Sequence, residues 1–179
     1  HRPMMGKIYR MAPVETQRGC PYACTFCNSP EKNTLYDDQN AGDFFRKRTM
    51  KNVHTELKEL VEKYRIEYIF FVTDTFLAMS DREFDEFCEM YSEFKLPFFM
   101  NTRPETITEY RAKKLKEVNC SRVNIGVEHG NPKFRAEVVD RKYKNEFAIN
   151  AFSQMFDAGI STVANSIIGY PDETRELVF

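Results

Sequence analysis

Three cysteines, Cys20, Cys24 and Cys27, stand in the run Cys-Pro-Tyr-Ala-Cys-Thr-Phe-Cys, entered through Arg18-Gly19 and with Phe26 before the last thiol. A CxxxCxxC spacing suits one loop wrapped around one metal centre, because thiolates are the soft ligands that zinc and iron–sulfur clusters select. An iron–sulfur cubane ordinarily takes four cysteines. Here the local run supplies three, and no fourth Cys or His lies nearby in sequence. A cubane held in this way keeps one iron open to a small-molecule ligand, which makes the site reactive rather than a staple. A structural zinc site would need a fourth ligand from Cys88, Cys120, His1, His54 or His129, all distant in sequence. Five cysteines, an odd number, argue against a disulfide framework.

The run Gly-Cys-Pro-Tyr-Ala-Cys-Thr-Phe-Cys resembles the cluster loop of the radical S-adenosylmethionine (radical SAM) enzymes. The resemblance implies a [4Fe-4S] cluster on Cys20, Cys24 and Cys27. It also implies S-adenosylmethionine bound to the open iron through its methionine amino and carboxylate groups. Reductive cleavage of the sulfonium would then give a 5'-deoxyadenosyl radical that abstracts a substrate hydrogen. In such an arrangement the cofactor carries the hard chemistry and the protein orients it.

The elements that must position this loop follow from periodicity. Pro13–Gln17 reads as a short strand delivering the cysteines, and 28–48 as a long polar excursion over the cluster. An apolar face at Val53, Leu57, Leu60, Val61 and Tyr64 predicts a helix over 52–64, with His54 off the stripe and solvated. The apolar run 68–72 predicts a buried strand. Ser80 and Glu83 form a capping box opening a helix whose inward face is Phe84, Phe87, Cys88, Tyr91 and Phe94. A strand at 96–100 precedes a second expected capping box, Thr106 with Glu109, and a helix with Ile107, Tyr110, Leu115 and Val118 inward. Strands at 122–127 and 161–168 flank a short helix with Pro132 at its first position and a helix over 145–158 closed by Gly159. Cys88 and Cys120 read as small buried hydrophobes.

Strands alternating with helices predict an α/β fold with a parallel sheet. The resemblance makes this a partial parallel (β/α)6 TIM-like barrel, expected to break off after the fifth strand. Residues 1–13 are read as a lead-in and 14–179 as the core domain of a piece of a longer protein.

In parallel barrels reactive groups gather at the C-terminal ends of strands. Those ends carry Thr73-Asp74-Thr75, Asn101-Thr102-Arg103, Glu128-His129 and Gly169-Tyr170-Pro171. The resemblance places Thr73 and Asp74 at the methionine amine, Glu128 at the ribose hydroxyls and Arg141 at the methionine carboxylate. It places Phe26, Gly169 and Tyr170 at adenine, and counts Arg103 among the cofactor contacts. The family's GxIxGxxE pattern is met at Ile167 and Gly169, with Asn165 for the first Gly and Asp172 at the Glu position. His129 is left between approaching substrate and capping the turn. Gly126–Gly130 and Gly169–Thr174 are most similar to the branch often fused to a cobalamin-binding domain, which includes methylases and the anaerobic ring cyclase of chlorophyll synthesis. Cobalamin would then sit on a domain outside this chain. The other readings are a methylthiotransferase-like enzyme acting on RNA and a non-catalytic iron–sulfur or zinc module.

Hydrophobic residues at 42%, charged residues at 30% and a formal net charge of −1 fit an ordinary globular protein and give no global electrostatic case for nucleic acid or membrane. The apolar runs are too short to span a bilayer. Unpaired thiols point to a reducing, cytoplasmic setting. A small-molecule or other substrate and an electron donor such as flavodoxin or ferredoxin are the expected partners.

Overall fold

Apolar runs of four or five residues set between amphipathic helices are buried together when the runs pair side by side and the helices cover one face. The computed structural model describes residues 1–4 and 6–178; Phe179, the last residue of the expected core domain, lies outside them. In chain order, β1 (Arg2–Met4) and β2 (Lys7–Tyr9) pair antiparallel, then come β3 (Met11–Val14), β4 (Gln17–Arg18), α1 (Ser29–Asp38), β5 (Arg46–Lys47) and α2 (Met50–Glu62). Next are β6 (Tyr68–Phe71), α3 (Asp81–Tyr91), β7 (Phe98–Thr102), a 3-10 turn (Pro104–Thr106) and α4 (Glu109–Glu117). The chain continues through β8 (Cys120–Glu128), α5 (Pro132–Glu137), α6 (Asn145–Asp157), β9 (Ser161–Ser166) and α7 (Arg175–Val178). Strands β3, β6, β7, β8 and β9 form one sheet in that order, every neighbour parallel. Each helical crossover therefore adds the next strand on the same side, which builds the wall of a partial barrel.

The outer face of that wall is the core. Ile69, Phe71, Phe98, Met100, Val123 and Ile125 are completely buried, and against them lie Val53 and Leu57 of α2, Phe84, Phe87 and Tyr91 of α3, Leu115 of α4 and Met155 of α6. Phe71 meets the rings of Phe76, Phe87, Tyr91 and Phe98 at 5.1–5.5 Å. Each such aromatic pair contributes about 0.5–1.5 kcal/mol beyond its burial. The opposite, concave face carries Phe70 stacked on Phe99 at 4.1 Å and, above them, Asn124 donating to Asn101 at 3.0 Å. All strand C-termini point to one rim, and the cysteine loop leaves β3 at that rim.

Several sequence expectations are corrected. The stretch 28–48 is not a structureless excursion: α1 occupies ten of its residues and β5 pairs with β4. Its helix has Pro30 in the first turn but no apolar stripe, so periodicity could not reveal it. Residues 1–13 hold the β1–β2 hairpin and most of β3, with Tyr9 packed on Tyr68 at 5.1 Å. The box expected at Thr106 and Glu109 is absent. Thr106 ends the 3-10 turn with its hydroxyl 2.7 Å from that of Thr102, and Thr108 caps α4 instead, accepting from the Arg111 N–H. Tyr64 and Tyr110 were expected inward but are exposed, Tyr110 bonding Asp85 on the surface. Buried Arg111 was missed: it donates to the carbonyls of Leu77, Met79 and Thr106 and to Asp81, fixing the loop from β6 to α3.

The box at Ser80 and Glu83 is present, with both reciprocal bonds. Lys47 of β5 bonds the same Glu83 carboxylate at 2.7 Å. The Lys47 ammonium, with help from Ser80, holds that carboxyl down to about 2. A carboxylate whose folded pKa is depressed stabilises the protein above its unfolded pKa and loses that contribution as pH falls through the folded value. Urea unfolding between pH 5 and pH 2 is therefore expected to show a steeper acid loss in the wild type than in Glu83→Gln. Equal acid limbs would remove this assignment.

Candidate active site

The cysteine loop closes on itself where the Cys27 N–H donates to the Cys24 carbonyl at 3.1 Å. It is tied to the α5–α6 connection by Thr25, whose N–H reaches the Val139 carbonyl and whose hydroxyl reaches that of Val138. Gly19 enters it at φ +82°, and a Cβ there would stand 2.4 Å from the Phe44 carbonyl oxygen, so both backbone conformation and space demand glycine.

The three sulfurs have three different surroundings. Cys24 is buried, and its Sγ accepts from Arg103 Nη1 and Arg141 Nε, each at 3.3 Å. Cys20 lies 3.7 Å from the Thr75 hydroxyl beyond β6, and burial pushes its thiol up. Cys27 accepts from the Ser29 N–H at 3.4 Å at the start of α1. Among the described residues no three Cys, His, Asp or Glu side chains converge as they would on one metal ion. The donor set of three thiols on one loop, with two guanidiniums at the buried one, fits an anionic iron–sulfur cluster. Cys88 and Cys120 are buried on the far side of the sheet, and burial pushes both thiols up to about 12, which leaves them protonated.

Glu128, at the end of β8, sits at φ +67° directly after a bulge at Gly126–Glu128. That left-handed conformation is unfavourable for a non-glycine residue. It is held by the Ile167 N–H donating to the Glu128 carbonyl at 2.9 Å. The buried carboxylate lies 3.2 Å from Arg141 Nη2. A Cβ on Gly126 would come within 2.4 Å of Glu128 Oε1, so this glycine opens the space in which the pair forms. Burial raises the Glu128 pKa, with Arg141 and then Arg103 acting against it. Arg141 also lies over the Phe26 ring at 5.5 Å, and Phe26 meets Tyr170 edge-on at 6.4 Å.

Cys24, Phe26, Arg103, Glu128, Arg141 and Tyr170 are thus brought together on one side of the loop. Thr73 and Asp74 lie on the other, beyond β6 with Cys20, and line a cleft of about 530 Å³ with Gly19, Asn28, Ser29 and Asn101. Asp74 and Gly169 are exposed, while Thr73 is buried. The Thr73 hydroxyl and the Tyr170 hydroxyl are buried without a partner among the described residues. Orphaned polar atoms of this kind are costly unless a ligand or water completes them.

Gln17, Arg135 and Glu173 were not assigned from the sequence, and Thr75 was placed there only at a strand end. Thr75 touches Cys20, and Gln17 fixes that turn by donating to the Thr75 carbonyl at 2.5 Å. Arg135, fully buried, braces the turn after β8 through the carbonyls of His129 and Tyr143. Glu173, not Asp172, is the inward acid of the last loop. It accepts the Gly169 N–H at 2.5 Å, while Asp172 is exposed at φ +62°. Its Oε1 lies 3.0 Å from His129 Nε2, without hydrogen-bond alignment, in a buried pair. His129 Nδ1 accepts the Asn131 N–H at 3.1 Å and the ring stacks on Phe134 at 4.3 Å, so His129 caps the turn.

Residues 14–178 match the family model of the Radical SAM superfamily. The chain is 31% identical over 166 residues to an uncharacterized methyltransferase of Pyrococcus horikoshii, covering 92% of this chain and 34% of the relative. It is 27% identical over 173 residues to the anaerobic magnesium-protoporphyrin IX monomethyl ester cyclase of Rubrivivax gelatinosus, covering 93% and 29%. The chain thus spans about a third of the length of these curated relatives. Among solved structures it is similar to the radical S-adenosylmethionine methyltransferase TsrM from Kitasatospora setae with cobalamin and a [4Fe-4S] cluster bound. There the TM-score is 0.72 at 20% identity, with 93% of this chain and 32% of that one covered. It is also similar to the cobalamin-dependent S-adenosylmethionine radical enzyme OxsB, with TM-score 0.68, 20% identity and coverage of 87% and 23%. At these identities the structural likeness shows the fold.

Proposed function

The chain belongs to the radical SAM superfamily, and from that premise we propose that it is the catalytic core of a radical SAM enzyme with a [4Fe-4S] cluster on Cys20, Cys24 and Cys27. The observation that carries this reading is the buried Cys24 sulfur facing two guanidiniums on a three-thiol loop at the C-terminal rim of the sheet. When bound, the reduced cluster supplies the electron that splits the sulfonium of S-adenosylmethionine. The chain's own residues hold and orient that molecule. Asp74 offers a carboxylate to the methionine amine from the cleft, next to the unpartnered Thr73 hydroxyl. Glu128 gives Oε1 to Arg141, leaving Oε2 to accept from ribose hydroxyls. Arg141, whose three nitrogens already meet Cys24, Gly126 and Glu128, would hold the methionine carboxylate through the remaining N–H groups of Nη1 and Nη2. Phe26 and Tyr170, edge to face, together with Gly169 flank the place for adenine.

Relatives named as a methyltransferase and a ring cyclase, and structural neighbours that bind cobalamin, support placing the chain in the cobalamin-associated branch. Methyl transfer through cobalamin, held on a segment outside this chain, is the reaction we favour. An external one-electron donor and a small-molecule substrate complete the reading. Among the described residues no helix is long and apolar enough to cross a membrane.

The test is electron paramagnetic resonance on protein reconstituted anaerobically with iron and sulfide and then reduced, with and without S-adenosylmethionine. A cubane signal that shifts on addition of S-adenosylmethionine is expected. Retained zinc with no cluster signal would overturn the reading.

A further inference from the structure

Arg103 is buried, and each of its three guanidinium nitrogens has a partner. Nε and Nη2 both meet one oxygen of Glu105, Oε1, the first at 2.6 Å. One face covers the Tyr22 ring at 3.9 Å, and Nη1 donates to Cys24 Sγ at 3.3 Å. Two of these partners, Tyr22 and Cys24, belong to the cysteine loop itself. The bracing has a local cause in sequence. Pro104 follows Arg103 and starts the 3-10 turn, which brings Glu105 back beside the arginine. One carboxylate oxygen shared by two guanidinium nitrogens, with an aromatic ring under the face, fixes a planar guanidinium in one orientation, as it would not fix a lysine.

We propose that Arg103 acts on the cluster loop rather than on S-adenosylmethionine: braced by Glu105 and Tyr22, it is a positioning residue whose N–H to the Cys24 sulfur raises the reduction potential of the cluster. The inference rests on the proposed cluster site. A hydrogen bond and a positive charge at a ligand sulfur favour the more negative, reduced state, and bonds to the sulfurs and net charge are among the terms that set such potentials. Partners one shell out from a metal orient its ligands and tune it in the same way. Arg103 thereby makes the electron that starts the reaction easier to deliver, without touching the molecule that is cleaved.

The experiment is a redox titration followed by electron paramagnetic resonance on the reconstituted wild type, Arg103→Met and Arg103→Lys, with S-adenosylmethionine affinity measured alongside from the spectral shift. The expected result is a midpoint potential moved negative in Arg103→Met, and less so in Arg103→Lys, with S-adenosylmethionine affinity unchanged. Unshifted potentials with weakened S-adenosylmethionine binding would overturn the proposal and make Arg103 a cofactor contact. Should Arg103→Met assemble no cluster, Arg103→Lys decides: a negative shift supports the proposal and an unmoved potential sinks it. A wild type that assembles no cluster overturns the proposed function and this inference with it, whereas a normal wild-type cluster with unmoved variants overturns only the inference.

Discussion

Cys24→Ala is expected to lose the cubane signal altogether, and with it 5'-deoxyadenosine formation from S-adenosylmethionine under reducing conditions. Mutating an outer partner of a metal ligand costs about 10- to 100-fold in affinity or activity, and a direct ligand costs more, so the fall should exceed ~100-fold. Of the three thiols Cys24 is the most deeply placed, and its sulfur is the acceptor for both Arg103 and Arg141. The alanine leaves two buried cations without that acceptor, so some loss of stability is expected as well. The controls are Cys88→Ala and Cys120→Ala. Burial pushes both of those thiols up to about 12, they lie among core residues behind the sheet, and their variants should keep the signal. Loss of signal in either control, or its survival in Cys24→Ala, would show that the cluster is not held where the loop places it.

The sequence announced the chemistry more clearly than it announced the machinery around it. Three cysteines at fixed spacing are a local signal. So are apolar periodicity in α2 and α3, the runs that became β6 and β8, and the box at Ser80 and Glu83. Each of these depends on residues within a turn or two of one another. What stayed hidden depends on distance in sequence or on the lack of a pattern. Helix α1 has only Leu35 and Tyr36, adjacent in sequence, as large apolar residues after Pro30 and so no apolar stripe, which leaves it indistinguishable from a loop by periodicity. Thr106 and Thr108 are equally good caps in isolation, and only the 3-10 turn after Arg103 decides between them. The inward acid of the last loop is Glu173 because Asp172 takes a left-handed backbone, a choice that spacing alone could not reveal. Arg111 and Arg135 look like ordinary surface cations in sequence, and Arg103 shows there only as a strand-end residue without its bracing partners. Their burial follows from carbonyls, carboxylates and rings gathered from other elements.

Arg141→Leu should be the most destabilising single substitution among the residues around Cys24. Arg141 joins three groups from two other segments: the Cys24 sulfur of the cysteine loop, and the Gly126 carbonyl at 2.6 Å and the Glu128 carboxylate of β8. Both members of the ion pair are buried, so solvent does little to screen the loss. Removing one partner of a buried pair typically costs about 3–5 kcal/mol, because the remaining charge is left without compensation. The pH dependence identifies the cause. Burial already raises the Glu128 pKa against the pull of Arg141, and losing that pull raises it further. A carboxyl whose folded pKa lies above its unfolded value, about 4.3 for glutamate, contributes its stability below the unfolded pKa and loses it as pH rises through the folded one. The deficit of Arg141→Leu in cluster-free protein should therefore be smallest near pH 4, where only the bonds to Cys24 and Gly126 are lost, and grow towards pH 8. Arg141→Leu combined with Glu128→Gln should recover much of the loss at pH 8, because the uncompensated charge is gone while the bonds to Cys24 and Gly126 remain broken. Urea unfolding of the wild type, Arg141→Leu, Glu128→Gln and the double variant across that range is the measurement. A deficit independent of pH, or a double variant no more stable than Arg141→Leu, would mean that Arg141 matters through its bonds to Cys24 and Gly126 and that the Glu128 charge is a bystander.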